Sequence, residues 1–579
     1  MDRITSQGGI NIMRVCDKIF ILIFIFFIST QIVLAAPSAI DMKEQEAVLR
    51  RQEQKITAKE ADQESNKRSQ ESMVKLKKEI KPLAKVELPE ETPSFYIKTF
   101  QLRGLYAQRF TWVEEYLNQY RNQKIGIQGI NLLLKNINDA IVNRGYITTR
   151  VYVKEQDLSS GILMFDLAAG TIGEIGFADN NTWGTWKNAF SVHHGDLLNI
   201  RDLEQGLEQM KRVPSQDVDM KIEPAKITGQ SNILLTIKRT KPWKLVTSID
   251  DSGTEDTGKL QATTALEIDN LFSMNDIFNI SYNKDAASDG EKRGTRANSF
   301  YYSIPFGKQT LSISKSSYDY HQTVTSAVLP FLSSGKTENF QFSLTHLLSR
   351  DQTRKTNLEF NIIKKKRRSF IDDTEISVQR QETTAMQLGF THKQYFGQTV
   401  LDAAIRYQAG VPWFGAKPGA TDSLADNPTT QYNMYLMDLN LDTPMKLGKI
   451  NGQYHVTIRG QHTKDYIYSS EFFSIGGRYT VRGFDGEQTL SAENGLIIRN
   501  EIRLPINKDS QIYTALDYGK VSGPSTEYLS GTELWGSVLG IRGRIKDTQY
   551  DVFVGWAVKK PEGFKTAKQT YGFQLTTQI

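Results

Sequence analysis

Residues 472–486 read FFSIGGRYTVRGFDG, and the rest of the chain is interpreted outward from them. Gly476, Gly477 and Gly483 break any regular element, because glycine reaches backbone angles that other residues avoid. Arg482 sits among them, flanked by Val481 and Phe484. A cation beside an aromatic ring at a glycine bend suggests a tip that inserts into something. Taken alone, an Arg-Gly-Phe tripeptide is more often a solvated surface turn.

Around this stretch the sequence alternates. In NFQFSLTH, Phe340, Phe342 and Leu344 oppose Asn339, Gln341, Ser343 and Thr345; in TNLEFNI, Leu358, Phe360 and Ile362 oppose Asn357, Glu359 and Asn361. Near the C-terminus Tyr550, Val552, Val554 and Trp556 oppose Gln549, Asp551 and Gly555. A period of two puts the apolar side chains on one face of a strand. By the same parity Arg499, Glu501 and Arg503 face one way, and Leu496, Ile498, Ile502 and Leu504 the other. Ala515, Asp517 and Gly519 share a face that excludes Leu516 and Tyr518. A soluble sandwich alternates in the same manner. An export signal, aromatic strand ends and polar interruptions at 283–297 and 412–430 favour a lipid-facing barrel with external loops instead. Residues 241–579, at ~20 per strand and connection, suit a transmembrane β-barrel of about 16 antiparallel strands.

The N-terminus supplies that export signal. Arg14 and Lys18 precede the apolar run Ile19–Ile28, and Val33-Leu34-Ala35 offers a small-residue cleavage site, giving a signal peptide over 1–35. Met13 is an alternative start. Cys16, the single cysteine, is lost with the signal, so no disulfide holds the exported fold. The formal charge of +6 becomes +5 once Arg3, Arg14, Lys18, Asp2 and Asp17 are removed. That near balance gives no pervasive basic surface for nucleic acid.

Residues 36–81 are rich in Ala, Gln, Glu, Lys and Arg and predict a polar helix ending near Pro82, with no continuous apolar stripe. Such a helix bridges aqueous space or is not stably folded. A linker follows over 82–94. Residues 95–170 then give a β-α-α-β-β pattern. FYIKTFQLRG starts as a strand, Leu117–Tyr120 and Ile127–Val142 read as helices, and NRGYITTRVYV and GILMFDLAAG as strands. Residues 171–240 repeat the theme, with a helical Leu198–Leu207, Asp202 as its candidate N-cap, and a strand at Asn232–Lys238.

Three strings carry a family resemblance. F-x-I-G-G-x-x-x-V-R-G-F (Phe472–Phe484), NRGYITTR with Gln156, Leu158 and Gly161, and LNIRDLEQGLEQMKRVPSQDV (198–218) resemble two-partner secretion (TpsB) outer-membrane transporters of the haemolysin-activator ShlB/FhaC/HecB type. Lys154 departs from the pattern, where a proline is common. The resemblance implies two POTRA domains (95–170 and 171–240), a 16-stranded barrel (241–579), and residues 36–81 as a helix plugging its lumen. It also implies that loop 472–486 folds into the lumen, where Arg482, Gly483 and Phe484 meet the wall at Asp517 in YTALDYGKV (513–521). POTRA residues Gly145, Tyr146, Arg150, Arg201, Asp202 and Leu203 are implied in substrate recognition.

The partner implied is a large secreted exoprotein with an N-terminal secretion domain (an adhesin, a cytolysin or a contact-dependent toxin). Outer-membrane lipid and the barrel assembly machinery are implied as further partners. No catalytic set, metal-ligand spacing, phosphate loop or cofactor motif stands out, and the adjacent His193-His194 does not form an H-x-x-x-H pair. An insertase of other barrels is the alternative, although it normally carries more POTRA repeats and no plug. A passive porin leaves the two repeats unexplained. Family barrels usually end in phenylalanine, whereas this chain ends in Ile579.

Overall fold

The computed structural model describes residues 39–71, 73–74, 83–179, 183–287, 290, 292–325, 330–417 and 428–579; the expected signal over 1–35 lies outside them. The chain divides into two units, Met1–Val48 and Leu49–Ile579. In the first, the described residues 39–48 are helical. They begin α1 (Ala39–Gln70), which has no glycine or proline to interrupt it. The helix stops well short of Pro82. Lys393 meets its end from outside by donating to the carbonyls of Arg68 (2.6 Å), Ser69 and Glu71, acceptors for which a helix terminus offers no donor.

Residues 83–93 run without regular structure along the first repeat, with Leu83, Val86 and Leu88 packed on its core. Glu91 accepts from the amides of Gly126, Gln128 and Gly129 at 2.8–3.1 Å, occupying donors that a helix N-terminus leaves open. The expected linker is therefore docked.

The first repeat comprises β1 (Ser94–Ile97), β2 (Thr99–Arg103), α2 (Thr111–Leu117), β3 (Gln123–Gly126), α3 (Ile127–Asn143), β4 (Arg150–Tyr152) and β5 (Ile162–Ala168). FYIKTFQLRG is two strands, not one: β1 pairs with β3, whereas β2 pairs with β5, because the chain changes partner at Lys98. The apolar spacing of α3 buries Ile130, Leu133, Ile137 and Ile141 against that sheet. The second repeat has β6 (Thr171–Phe177), α4 (Ile200–Lys211), β7 (Gln216–Pro224) and β8 (Gln230–Arg239). Sheet orders β2-β5-β4 and β6-β8-β7 match, with the first two strands of each order parallel and the third antiparallel. Asn199, rather than Asp202, caps α4: its side chain accepts from Arg201 N, while Asp202 lies within the first turn.

The barrel is closed by β9 (Trp243–Asp250), β10 (Gln261–Asp269), β11 (Ile277–Asp285), β12 (Arg293–Phe306), β13 (Gln309–Val324), β14 (Phe331–Arg350) and β15 (Arg354–Ile371). After the two-residue β16 (Thr374–Glu375) come β17 (Gln381–Phe396), β18 (Thr399–Gly410), β19 (Asn433–Leu447) and β20 (Ile450–Thr463). Short β21 (Phe473–Ile475) and β22 (Leu490–Ala492) form a separate hairpin. Then β23 (Asn494–Pro505), β24 (Ser510–Ser522), β25 (Glu533–Ile545), β26 (Thr548–Lys559) and β27 (Thr570–Gln578) return to β9. Without β16, β21 and β22 these are 16 antiparallel barrel strands. Ile579 extends the closure by exchanging backbone hydrogen bonds with Leu245 at 2.9 and 3.1 Å. Large apolar side chains such as Leu388, Phe390 and Ile405 face outward and exposed, which excludes the sandwich. The interruption expected at 283–297 falls partly on β11 and β12, which carry polar residues outward beyond the apolar band.

One face of α4 is seated on the barrel turns. Lys308 pairs with Asp202 (2.8 Å), Gln209 donates to Gly307 O (3.1 Å), and Ser215 N donates to Asp269 (2.7 Å). Glu208 accepts from Arg350 (2.8 Å), Lys355 (2.5 Å) and the Val74 amide (3.2 Å), and Arg350 also donates to Val74 O. Burial pushes the Glu208 carboxyl up, but Lys355 and Arg350 hold it below the ordinary 4.5. Glu208→Ala strips two cations of their carboxylate, a change worth about 3–5 kcal/mol for buried pairs. Amide exchange near Val74 is expected to quicken in this variant. Because the native value is depressed, the wild-type advantage should be constant above about pH 5 and disappear as pH falls through the native value. Thermal midpoints of both proteins across pH 3–7 check this.

Candidate functional site

The stretch 472–486 lies inside the barrel. Phe473, Ile475, Val481, Phe484, Leu490 and Ala492 form a small apolar core against Ile497, Val521, Leu534 and Phe564. The Phe484 and Phe564 rings meet edge-on with centroids 5.8 Å apart. The tip closes on itself through Thr480 N to Gly477 O (3.0 Å) and Gly477 N to Val481 O (3.2 Å). This packing holds a buried arginine in one place.

Arg482 donates twice to Asp517 in a bidentate fork, Nε to Oδ2 at 2.7 Å and Nη2 to Oδ1 at 2.9 Å, and its own amide adds a third bond at 3.0 Å. Its Nη1 donates to Glu501. The Asp517 side chain is 0% exposed and that of Arg482 8%. Glu501 is held in turn by Arg503 (2.6 Å) and Arg542 (3.2 Å). Arg499 approaches Asp517 at 4.0 Å and reaches Asp62 of α1 at 2.5 Å. One continuous set of charges therefore runs from the loop tip through the wall to the lumenal helix.

The tip can approach because the wall beneath it lacks side chains. A Cβ on Gly536 would lie 1.8 Å from Arg482 O, on Gly555 2.8 Å from Gly483 Cα, and on Gly519 2.5 Å from Val481. Gly483 has φ +98°, and its own Cβ would meet Trp556 O at 2.4 Å, so both conformation and space demand glycine there.

From Arg50 onward α1 is bound by polar contacts to the lumen wall. Gln52 donates to Thr254 and Thr257, Glu64 meets Arg406 (2.7 Å), Arg68 meets Asp402 (2.5 Å), and Ser65 accepts from Asn440 (2.7 Å). Among the described residues no apolar stripe seals the helix to the wall.

The structure brings Arg482, Gly483, Phe484 and Asp517 together. Sequence parity had placed Glu501 inward without naming it as a partner of Arg482. It put Gly555 on the polar face without naming it as a seat for the loop, and it missed Gly536, whose inward parity on β25 was the available signal. It also missed the second loop cation: Arg478 reaches Asp251 (3.0 Å) and Phe573 O (3.3 Å) beside the closing strands. The six repeat residues lie elsewhere. Gly145 accepts from Ile200 N at its carbonyl and sits against Asn199, joining the two repeats. Tyr146 packs edge-on to Phe110, and Leu203 is in the second core. Arg150 donates to the carbonyls of Ile147 and Thr149, Arg201 pairs with Glu204 (2.8 Å), and Asp202 with Lys308. Among the described residues no His, Cys, Asp or Glu cluster suits a metal ion.

A closed barrel with an apolar exterior, a charged lumen holding a helix and an inward loop, and two repeats at one mouth is an outer-membrane transporter. Residues 229–543 match the family described as haemolysin secretion/activation protein ShlB/FhaC/HecB, 95–170 the ShlB-type POTRA domain and 171–224 a POTRA domain. The chain belongs to this family of two-partner secretion transporters, with its barrel in the outer membrane and its POTRA domains in the periplasm. The outer membrane transporter CdiB-2 of Burkholderia pseudomallei (strain 1026b) is 40% identical over 522 residues, covering 86% of this chain and 89% of that one. The hemolysin transporter protein ShlB of Serratia marcescens is 26% identical over 72% of this chain and 75% of its own. The structure of CdiB from Acinetobacter baumannii superposes with a TM-score of 0.81 at 28% identity, covering 92% and 98% of the two chains.

Arg482→Ala and Asp517→Ala are each expected to lower secretion strongly while a heat-modifiable barrel still forms. The double variant should be no worse than the worse single, since touching residues couple by about 0.5–3 kcal/mol. Gly536→Val should copy the phenotype by displacing the tip. Secreted cargo per folded barrel is the measurement, and additive losses would mean that the two residues act separately.

Proposed function

We propose that the chain threads an unfolded partner exoprotein outward through its lumen once α1 has left and loop 472–486 has shifted. The observation that carries this is the polar seating of α1. A helix held by hydrogen bonds and ion pairs exchanges those contacts for water on leaving, without exposing an apolar seam. What remains is a lumen lined by Arg406, Arg459, Arg499 and Arg503, suited to a water-filled pore.

Cargo meets the POTRA domains first. β2 and β4 of the first and β6 and β7 of the second are the edge strands of their sheets, and an extended chain adds to such edges by backbone hydrogen bonds. Gly145, Tyr146, Arg150, Arg201, Asp202 and Leu203 serve recognition by fixing the two domains relative to each other and to the barrel. The chain acts by passage and not by catalysis. Its own insertion uses the barrel assembly machinery.

Deleting 39–74 is expected to raise single-channel conductance in planar bilayers, and unchanged conductance would remove the case for a plug. Deleting 171–240 should abolish secretion while a heat-modifiable barrel persists. Cargo outside at normal levels would overturn the recognition role.

A further inference from the structure

The outer wall over β11–β17 changes character abruptly. Strand register places residues in rows across neighbouring strands. One outward row is Phe278, Tyr302, Ile313, Phe342, Ile362 and Met386, apolar throughout. Two residues further from the periplasmic turns, the row becomes Ile280, Phe300, Lys315, Phe340, Lys364 and Thr384. The next carries Glu338, Lys366 and Glu382, and the one above it Lys284, Arg296, Asp319, Lys336 and Arg368. Three rows thus hold seven cations against three carboxylates. The strands are long enough to put these rows beyond the bilayer: β14 has 20 residues and β15 has 18, whereas about 9–11 cross it.

The ion pairs in these rows are loose. Lys336–Glu338 is 3.2 Å, Arg296–Asp319 3.5 Å and Lys366–Glu382 3.9 Å, each with a cation side chain at least 37% exposed. Lys315 has no hydrogen bond or ion pair among the described residues. An aromatic pair marks the boundary: Lys364 donates to Phe414 O, Thr384 donates to Trp413 O (2.9 Å), and Trp413 and Phe414 are 42% and 62% exposed. Such rings settle at membrane interfaces. On β18 and β19 Tyr407 and Tyr435 are in contact, at 5.5 Å, and on β24 and β25 Lys520 pairs with Glu533 at 3.3 Å.

We propose that this patch binds the phosphates of an anionic glycolipid headgroup in the outer leaflet, with Lys364, Lys366 and Arg368 at its centre and Lys315, Lys336 and Arg296 flanking. Arginine grips phosphate oxygens in a fork and lysine as a point charge. The apolar rows directly below take the acyl chains, which separates a lipid from a free anion. A zwitterionic headgroup would leave the excess positive charge unanswered.

The test uses the full chain in detergent, following its thermal midpoint with diphosphoryl lipid A, fully dephosphorylated lipid A and inorganic phosphate. Wild type and Lys520→Gln are expected to rise with the diphosphoryl lipid and not with the other two. The triple variant Lys364→Gln/Lys366→Gln/Arg368→Gln should bind it at least tenfold more weakly, each lost cation being worth about fivefold near an anionic surface. Heat-modifiability verifies the folded barrel. Lys336→Gln/Lys366→Gln replaces the triple if that fails to fold, with a loss of about 25-fold. No rise in the wild type, an affinity kept within twofold by the variant, or an equal rise with dephosphorylated lipid overturns the proposal. A rise with inorganic phosphate alone makes it a free-anion site and overturns the lipid assignment.

Discussion

The bidentate bond between Arg482 and Asp517 is the contact on which the interior depends. Burying either charge alone would be costly, and Asp517 without Arg482 is left with Arg499 at 4.0 Å. Asp517 belongs to the barrel wall, whereas Arg482 belongs to a loop that enters from one end. The pair therefore fixes the loop by a penalty on leaving as much as by the strength of the bond. Glu501 and Arg499 extend the constraint: an outgoing Arg482 leaves Glu501 to Arg503 and Arg542, and Asp517 to Arg499. The wall thus holds replacement partners for both carboxylates. That makes the inserted state specific without making it permanent.

The fold was legible because two periodicities are strong. Alternation in β14, β15, β23 and β24 assigned inward and outward faces residue by residue, and the 3.6-residue spacing of Ile130, Leu133, Ile137 and Ile141 marked α3. Arg482 and Asp517 were legible from a family string together with parity. What was not legible depended on partners distant in sequence. α1 ends where Lys393 takes its carbonyls, a constraint invisible in residues 36–81. Asn199 rather than Asp202 caps α4 because Ile200 is already turned inward by Gly145. Gly536 and Gly555 read as ordinary strand glycines until the loop lies on them. Arg478 was overlooked beside Arg482, since both stand between glycines and no spacing rule distinguishes the one that reaches the closing strands.

Polarity explains how one lumen can be both occupied and open. A soluble core is sealed by apolar surface, and removing a buried helix from it exposes that surface to water. Here the seal is a set of side-chain pairs, so the energetic difference between plugged and unplugged lumens is small compared with the area involved. Each pair is worth little once water can replace it, in line with the modest net value of hydrogen bonds in general. Specific placement comes from their number and pattern along the helix.

That balance puts weight on the place where the helix leaves the lumen. Val74 lies between both halves of the molecule: its amide is accepted by Glu208 of the second POTRA domain, its carbonyl is held by Arg350 of the barrel, and its side chain packs on the POTRA core. Glu208 and Arg350 also pair with each other, so the second POTRA domain, the barrel and Val74 meet in one set of contacts. Lys355 also holds Glu208 from the strand side. About two turns before the end of the helix, Asp62 ties α1 to Arg499 and hence to Asp517 and the loop. The stretch from α1 to Val74 thus touches both the wall charges that hold the loop and the second POTRA domain.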